Sequence, residues 1–247
     1  MPTVHYTAQN EIKVIPDLEY QGEETVQNLD LYLPLAPKPE RGFPAVIVMH
    51  GGGFMGSHKA RPREQQISRT LSESGYISIS INYTLAPSED EVERTMSTIV
   101  GDCKRAILWL RGVGLIYGVN PDRIGAIGPS GGGWLALCLG LTAGDGDYDS
   151  EGGWRTDIQA VVNMYSPTEP WINSISADAP PILTLHGSED DIVSPHQAHE
   201  LDQAAKRVGA HHQLIVVDGA GHSLRLFSEK RDYRPDVIQF FDAHLKA

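Results

Sequence analysis

The sequence predicts an α/β fold, in which a mostly parallel β-sheet is covered by helices on both faces. Strand-like and helix-like segments alternate from about residue 28 to the end of the chain, as they do in successive βαβ units. Short apolar runs typical of buried parallel strands occur at residues 44–49 and 123–127. A chain of 247 residues with 40% hydrophobic content suits one such core, so we predict a single domain over residues 1–247.

The strands are predicted from their apolar patterns. Residues 28–33 alternate apolar and polar side chains, which predicts a strand buried on one face, whereas the continuous apolar run at residues 44–49 predicts a central strand. The isoleucines of residues 77–81 alternate with serines, and short apolar runs mark each later strand. In chain order, the predicted strands are residues 28–33, 44–49, 77–81, 123–127, 158–164, 181–185 and 213–217.

The helices are predicted from apolar side chains at helical spacing. One long amphipathic helix carries such a stripe from Met96 to Leu110, which would face the sheet. Another begins at a capping box, Ser194 to Gln197, with Pro195 in its first position. The other predicted helices cover residues 62–74, 134–141 and 236–245.

Residues 128–132, Gly-Pro-Ser-Gly-Gly, form a G-x-S-x-G motif between an apolar strand and an Ala- and Leu-rich helix. A serine in this position lies on a tight strand-to-helix turn, which needs small flanking residues. Its hydroxyl would project at the carboxyl edge of the sheet, where the N-terminus of the next helix favours negative charge. We therefore predict Ser130 as a nucleophile.

A serine nucleophile needs a histidine to take its proton and a carboxylate to orient that histidine. On this topology the chain order is serine, acid, histidine. His222 follows the last strand in a glycine-rich loop and is the predicted base, although a plain surface histidine would also fit such a loop. Asp190, in the turn after residues 181–185, is the predicted acid. Its alternatives are Asp191 and Glu189, which we expect to be solvated or to shape the turn.

The loop after residues 44–49 begins His50-Gly51-Gly52-Gly53 and would overhang the serine. Attack on a carbonyl creates an oxyanion, which backbone N–H groups must receive, and glycine permits the close approach. We predict that the oxyanion hole consists of the N–H groups of Gly51, Gly52 and Gly131. His50 is predicted to be a structural hydrogen-bonding residue. The alternative is a flexible loop without this role.

Together these motifs resemble the α/β-hydrolase superfamily, in particular its hormone-sensitive-lipase-like branch with bacterial feruloyl and acetylxylan esterases. Further matching segments are residues 82–87, 120–124, 180–187 and 219–222. The resemblance implies a serine carboxylesterase that works through an acyl-enzyme without cofactor or metal, and a structural role for Asp102. Two alternatives stay open, an amidase or peptidase with the same triad and a non-catalytic binding module.

Two departures from the family pattern bear on the substrate. Pro129 and Gly131 replace the usual acidic residue and alanine beside the serine, and only a short span separates Tyr165 from Pro180, where related esterases insert a longer cap. A minimal cap predicts an open cleft that suits an acyl group on a sugar or oligosaccharide, although a small ester would also fit. Aromatic residues expected to line the cleft or simply to pack in the core are Phe54, Trp134 and Trp171.

Composition disfavours several other classes of function. The net charge of −12, from 20 basic and 32 acidic residues, argues against binding to nucleic acid or anionic membranes. No apolar run is long enough to span a membrane, and residues 1–11 lack the features of a signal peptide. We therefore expect a soluble protein, and the sequence does not identify its cellular compartment.

Two further groups of residues, the cysteines and a run of alternating aspartates, are predicted to have no catalytic or metal-binding role. Cys103 and Cys138 fall in helical patterns and are predicted to be buried, unpaired thiols. Asp145, Asp147 and Asp149 have the spacing of a calcium loop without its glycine and distal glutamate, so no metal site is predicted there.

Overall fold

The predicted strands all lie in one eight-stranded sheet in the computed structural model, which describes residues 12–20, 27–142, 155–228 and 231–246. The spatial order is β1-β2-β4-β3-β5-β6-β7-β8. The strands are β1 (Ile12–Glu19), β2 (Asn28–Pro34), β3 (Phe43–Met49), β4 (Ile77–Ile81), β5 (Val119–Pro129), β6 (Ala160–Met164), β7 (Ile182–Gly187) and β8 (His212–Val217).

From β4 across to β8, every pair of neighbouring strands is parallel, whereas β1 and β2 pair antiparallel at one edge. This confirms the prediction of a mostly parallel sheet. Because parallel strands end at the same edge, the loops after β3, β5, β7 and β8 meet there. Those are the loops that carry the predicted functional residues.

Helices cover both faces of the sheet, as predicted. The larger core lies between the sheet and α2, α3 and α4, and a second core lies under α1 and α5 on the opposite face. The helices are α1 (Pro62–Glu73), α2 (Val92–Arg111), α3 (Gly131–Leu141), α4 (Pro195–Val208) and α5 (Arg234–Phe241), the last followed by a π-helical turn at Asp242–Lys246.

Strand β1 was not predicted from the sequence. Its segment, Ile-Lys-Val-Ile-Pro-Asp-Leu-Glu, contains Pro16, and a proline argues against a strand except at the edge of a sheet. Here β1 is the edge strand, and its pairing with β2 is interrupted between Ile15 and Leu18. Asp17 lies within that irregularity with a φ of 57°. The interruption in the pairing accommodates Pro16, the residue that argues against a strand here.

The prediction that the first recognised strand is buried on one face only was wrong. In β2, Leu29 and Leu31 face the larger core, but Asp30 on the other face is also only 4% exposed. The Nζ of Lys59 lies 2.5 Å from an Asp30 carboxylate oxygen and 2.7 Å from one of Asp17. An ion pair therefore allows a charged residue to occupy a buried strand position.

The predicted capping box at α4 forms only in part. The Ser194 hydroxyl accepts a hydrogen bond from the N–H of His196 at 3.3 Å, so Ser194 caps the helix. The Gln197 side chain, however, accepts from the N–H of Thr168 at 2.9 Å instead of reaching back to Ser194. The Thr168 hydroxyl also donates to the Gln197 carbonyl at 2.8 Å. Gln197 thus anchors the short segment after β6 to α4.

Cys103 and Cys138 are buried free thiols, as predicted, and burial raises the pKa of both. The acidic loop with Asp145, Asp147 and Asp149 lies outside the described residues. Within the described ranges, no helix combines the length and apolar character that a bilayer-spanning segment needs.

Candidate active site

Ser130 lies at the turn between β5 and α3, as the motif predicts. Its backbone has φ 52° and ψ −123°, a conformation that L-residues rarely adopt. The turn is held by the Ser130 N–H, which donates to the Met164 carbonyl at 2.8 Å. A Cβ at Gly132 would lie only 2.1 Å from the Met49 carbonyl oxygen, so the motif needs glycine there. The strained turn projects Ser130 at the carboxyl edge of the sheet.

The structure brings Ser130, His222 and Asp190 together from the loops after β5, β8 and β7. His222 Nε2 lies 3.0 Å from Ser130 Oγ. On the other side of the ring, His222 Nδ1 lies 2.9 Å and 3.1 Å from the two carboxylate oxygens of Asp190. These contacts join a hydroxyl, an imidazole and a carboxylate in one chain of hydrogen bonds. Such a chain can move a proton from the hydroxyl to the imidazole.

Asp190 is the buried one of the three adjacent carboxylates, since Glu189 and Asp191 are exposed. Its Oδ1 accepts hydrogen bonds from the N–H groups of Ile192 at 3.0 Å and Val193 at 2.9 Å. Burial alone would raise the pKa of Asp190, but these donors and the His222 ring outweigh it and lower the pKa below its ordinary value. The group beside His222 is therefore a carboxylate at neutral pH.

His186 supports the same turn from inside the sheet. Its side chain is fully buried, and Nε2 donates to the Val193 carbonyl at 2.9 Å while lying 3.2 Å from Asp190 Oδ2. Burial lowers the pKa of His186, so the ring is neutral at pH 7. The sequence matched this residue to a family motif without assigning it a role. Its contacts indicate that it fixes the turn in which Asp190 lies.

The loop after β3 brings the predicted oxyanion glycines to Ser130. A Cβ on Gly51 would lie 2.8 Å from the Pro129 carbonyl oxygen and 3.3 Å from Ser130 Cβ. Gly52 has a φ of 111°, which favours glycine. In the described part of the chain, no backbone hydrogen bond is donated by Gly51 or Gly52, and Gly131 is the first residue of α3, whose N–H has no acceptor within the helix. An oxyanion-hole role for these N–H groups remains a prediction.

His50 anchors the loop after β3, called the glycine loop below (residues 51–53), and its side chain does not point towards Ser130. It is 1% exposed, its Nδ1 lies 2.8 Å from the Gly51 carbonyl, and its ring stacks on Tyr83 with centroids 4.1 Å apart. The Tyr83 hydroxyl donates to the His50 carbonyl at 2.7 Å. Burial lowers the pKa of His50 to about 4, so it is neutral at pH 7. These contacts fit the structural role predicted for it.

Asp102 links α2 to the segment that carries Tyr83. Its carboxylate is fully buried and accepts from the Thr84 N–H at 2.7 Å and from Arg105 at 2.5 Å. The Ala86 N–H, two residues further on, donates to the Phe54 carbonyl at 2.8 Å. The glycine loop is thereby connected to α2, and Asp102 lies away from the three residues joined at Ser130.

A cavity of about 330 Å³ opens over Ser130 and His222. One wall is the glycine loop, and another is formed by Arg61, Arg63 and Glu64 at the beginning of α1, with Tyr165 beyond them. These residues were not predicted from the sequence, because the pattern of residues 62–74 indicates only a helix that covers the sheet. Charged residues are ordinary on a surface helix, so the sequence gives no signal that this helix end lies beside Ser130. Arg63 and Ser130 are 67 positions apart in the chain.

The three aromatic residues predicted at the cleft form a cluster on the α3 side. Phe54 and Trp134 rings lie 5.6 Å apart in an edge arrangement, and the Trp134 and Trp171 rings lie 4.7 Å apart. Trp171 is 8% exposed, and Phe54 and Trp134 pack against the larger core. The Phe54 ring also lies next to Gly131. This arrangement fits the core role, and contact with substrate stays a prediction.

Two family models match the chain. The BD-FAE model matches residues 29–174, and the prolyl oligopeptidase family model matches residues 148–247. The chain is 26% identical to esterase LipC of Mycobacterium tuberculosis, covering 85% of this chain and 60% of LipC. It is 24% identical to the probable isoprenylcysteine alpha-carbonyl methylesterase ICMEL1 of Arabidopsis thaliana, over 82% of this chain and 49% of the relative. The chain thus spans about half or slightly more of each of these relatives.

Solved structures of similar fold cover nearly the whole chain. A truncated carbohydrate esterase from gut microbiota is 25% identical with a TM-score of 0.80, covering 95% of this chain and 97% of that one. A thermophilic esterase from the planctomycete Thermogutta terrifontis is 21% identical with a TM-score of 0.74, covering 93% and 89%, a likeness of fold. The BD-FAE match spans more than half of the 247 residues. The chain therefore belongs to the BD-FAE family, in the hormone-sensitive-lipase-like esterase branch of the α/β-hydrolase superfamily.

Proposed function

We propose that the protein is a serine carboxylesterase that works through an acyl-enzyme. The observation that carries the proposal is the chain of hydrogen bonds from Ser130 Oγ through His222 to the Asp190 carboxylate, with donor–acceptor distances of 3.0 Å and 2.9 Å. The family match and the esterase relatives support ester hydrolysis as the activity. The buried Asp190 carboxylate supports its assignment as the orienting acid.

In the proposed reaction, Ser130 Oγ attacks the ester carbonyl while His222 Nε2 takes the hydroxyl proton. The carbonyl oxygen becomes an oxyanion and accepts hydrogen bonds from the N–H groups of Gly51, Gly52 and Gly131. When this intermediate collapses, the C–O bond to the alcohol breaks, and His222 returns the proton to the departing alkoxide. A water molecule, deprotonated by His222, then attacks the acyl-enzyme carbonyl. The bond between the acyl carbon and Ser130 Oγ breaks, the acid leaves, and His222 returns the proton to Ser130 Oγ.

The proposed substrates are small or carbohydrate-linked acyl esters of the acetyl or feruloyl type. The short segment between Tyr165 and Pro180 supports this choice, because it contains only a single helical turn at Glu169–Trp171 and no long insertion above Ser130. The similarity to a structure named as a carbohydrate esterase, at 25% identity and over almost all of both chains, supports the same class. A panel of acetyl, feruloyl and longer-chain esters with sugar and simple alcohols tests it.

Ser130 is tested as the nucleophile by removing its hydroxyl. Replacing Ser130→Ala removes the attacking oxygen, so hydrolysis of p-nitrophenyl acetate should fall by about 10⁵-fold or more in kcat. A fluorophosphonate probe should label the wild type and leave the variant unlabelled. The exposed Ser88→Ala, on the segment before α2, serves as the matched control and should keep both activity and labelling.

Circular dichroism and the unfolding midpoint should be close to wild type in Ser130→Ala, since the hydroxyl is not part of a structural core. Retained turnover in a correctly folded Ser130→Ala variant would exclude Ser130 as the nucleophile. Failure of the wild type to react with both ester and fluorophosphonate would instead favour a binding module on a hydrolase scaffold.

Amide hydrolysis is the second candidate activity, and the match of residues 148–247 to the prolyl oligopeptidase family favours its consideration. The same histidine can protonate a departing amine as well as an alkoxide. Turnover of matched ester and anilide substrates with the same acyl group separates the two activities. A kcat/KM for the anilide equal to or above that for the ester would make the protein an amidase.

A further inference from the structure

The cavity over Ser130 carries positive charge in a strongly acidic protein. The chain has a net charge of −12, yet Arg61 and Arg63 both line the same cavity as Ser130 and His222. Both arginines lie at the beginning of α1, with Arg61 as the helix N-cap residue. In the described residues, no ion pair involves either guanidinium. Their charges are therefore available to a ligand.

Arg63 is held in place through Tyr165. Its Nη1 donates a hydrogen bond to the Tyr165 hydroxyl at 2.5 Å, and its guanidinium carbon lies 5.9 Å from the centroid of that ring. The Tyr165 ring in turn packs edge-on against the His222 ring, with centroids 5.0 Å apart. Tyr165 is fully buried, so it forms a fixed bridge between the arginine and the histidine. Arg63 consequently lies on the His222 side of Ser130.

Two arginines and one acidic residue, Glu64, form this wall of the cavity, so its formal charge is positive. Glu64 is 1% exposed, and its Oε2 has no hydrogen-bond partner, as is also the case for the buried Nε of Arg63. Burial raises the pKa of Glu64, and a hydrogen bond from its own backbone N–H together with the charges of Arg63, Arg61 and His58 only partly opposes that rise. Burial therefore disfavours the charged form of this carboxyl.

The position of Arg63 identifies which half of the ester it faces. In the proposed reaction, His222 gives its proton to the departing alcohol oxygen, so the alcohol half lies on the His222 side. The Phe54 ring lies instead against Gly131, one of the predicted oxyanion donors, away from the α1 wall. A guanidinium offers five N–H donors in one plane. In Arg63 one donor on Nη1 is used by Tyr165 and Nε is buried, so the remaining donors on the two Nη atoms are the ones that can bind a carboxylate.

We propose that Arg63, assisted by Arg61, binds a carboxylate on the alcohol half of the substrate, so that the preferred substrates are esters of acidic alcohols such as hydroxy acids or uronic acids. The inference rests on the proposed esterase function and specifies the substrate of that same site. The carboxylate contributes to binding before and during acyl transfer. It takes no part in bond breaking.

The test compares 4-acetoxybenzoate with the neutral 4-acetoxybenzamide, and an O-acetylated methyl glucuronoside with the corresponding glucoside. The wild type should prefer each anionic ester by about tenfold or more in kcat/KM, mainly through a lower KM, because an Arg–carboxylate contact is worth at least one factor of ten. In Arg63→Gln that preference should fall to about twofold or less. Arg63→Lys should keep part of it, since the charge remains without the planar fork.

The matched control is Arg69→Gln, which removes an exposed arginine from the same helix outside the cavity lining. It should leave the preference for both anionic esters at the wild-type ratio. As a measurement that does not use the charged esters as substrates, 4-hydroxybenzoate should inhibit hydrolysis of p-nitrophenyl acetate by the wild type at about tenfold lower concentration than 4-hydroxybenzamide, and this difference should disappear in Arg63→Gln.

An equal kcat/KM for charged and neutral alcohols in the wild type, or a preference that survives Arg63→Gln, would overturn the inference. A preference for p-nitrophenyl hemisuccinate over p-nitrophenyl butyrate without any preference among the alcohols would place the anion on the acyl half and also overturn it. Each of these outcomes requires ester turnover, so none is confused with failure of the esterase proposal, in which p-nitrophenyl acetate is not hydrolysed at all.

Discussion

Asp190 joins the chemistry of the site to its architecture through a single carboxylate. Its Oδ1 accepts the N–H groups of Ile192 and Val193, while both oxygens contact His222 Nδ1. The first set of bonds fixes the turn after β7, and the second fixes which nitrogen of His222 carries the proton. An asparagine would retain an acceptor for the turn but lose the charge that stabilises the histidine when it is protonated.

We therefore predict that Asp190→Asn lowers kcat for p-nitrophenyl acetate by roughly 10⁴-fold with little change in KM. The reason is that an amide favours the wrong tautomer of His222 and leaves its cation without a counter-charge. Steady-state kinetics near pH 7 measure the effect. The adjacent Asp191→Asn, which removes an exposed carboxylate, is the matched control and should change kcat by less than about twofold. A larger loss in Asp191→Asn than in Asp190→Asn would exchange the two assignments.

At the scale of residues, the sequence was informative where a motif fixes both residue type and chain order. Ser130, Asp190 and His222 follow strands that a reader can recognise, and the structure brings them within hydrogen-bonding distance. Arg63 and Tyr165 carry no such signal. Their place beside His222 depends on how α1 and β6 meet across the sheet edge, which is a tertiary relationship that local pattern does not encode.

The strand-to-helix element around Ser130 depends on close approach between backbones. Gly132 lies at the first turn of α3, where a Cβ would come 2.1 Å from the Met49 carbonyl and 2.7 Å from that of His50. Both neighbours are backbone atoms at the end of β3, so neither can rotate aside. The same approach brings the glycine loop to Ser130, which means that a single contact sets the position of two parts of the site.

Gly132→Ala is accordingly expected to destabilise the fold by about 3 kcal/mol and to lower kcat/KM, because α3 must move away from β3. Urea unfolding followed by circular dichroism measures the first effect. Gly56→Ala is the control, since no heavy atom lies within 4 Å of a Cβ placed there, and its unfolding free energy should change by less than about 0.5 kcal/mol. Equal stabilities for the two variants would contradict the close contact that the structure shows.

At the scale of elements, prediction succeeded for segments with strong apolar patterns and failed where tertiary contacts decide. The seven strands from β2 to β8 were recognised, whereas β1 was missed because Pro16 interrupts it and only the edge position permits that. The prediction of a capping box at Ser194 was half wrong, because the Gln197 side chain accepts a hydrogen bond from the Thr168 N–H instead of reaching back to Ser194. Both errors arise from partners distant in the sequence.

Over the whole molecule, buried neutral histidines are distributed across the sheet. His50 follows β3, His186 lies near the end of β7, and His212 is the first residue of β8. Burial lowers the pKa of each of the three. Burial also lowers the pKa of the half-buried His244. Because the unfolded chain binds these protons more readily, acid should destabilise the fold as a whole through sites that no single loop controls.

The free energy of unfolding should therefore fall as the pH drops from about 6.5 towards 4. His50 alone, with its pKa lowered from 6.5 to about 4, contributes up to about 3 kcal/mol of stability at pH 7, which is lost progressively over that interval. The raised pKa values of buried Glu64 and half-buried Asp236 act in the opposite sense and reduce the net slope. Urea unfolding at closely spaced pH values measures it.

The contribution of His50 is separated by a variant that cannot take up a proton. His50→Gln should be less stable than wild type at pH 7.5, because the stack on Tyr83 is lost, yet its stability should decline less steeply between pH 6.5 and 4. His199→Gln, on the exposed side of α4, should follow the wild-type curve. Parallel curves for wild type and His50→Gln would mean that His50 takes up its proton equally in the folded and unfolded chain. The acid sensitivity would then have to come from His186, His212 and His244 and from carboxyls with a lowered pKa, such as Asp190.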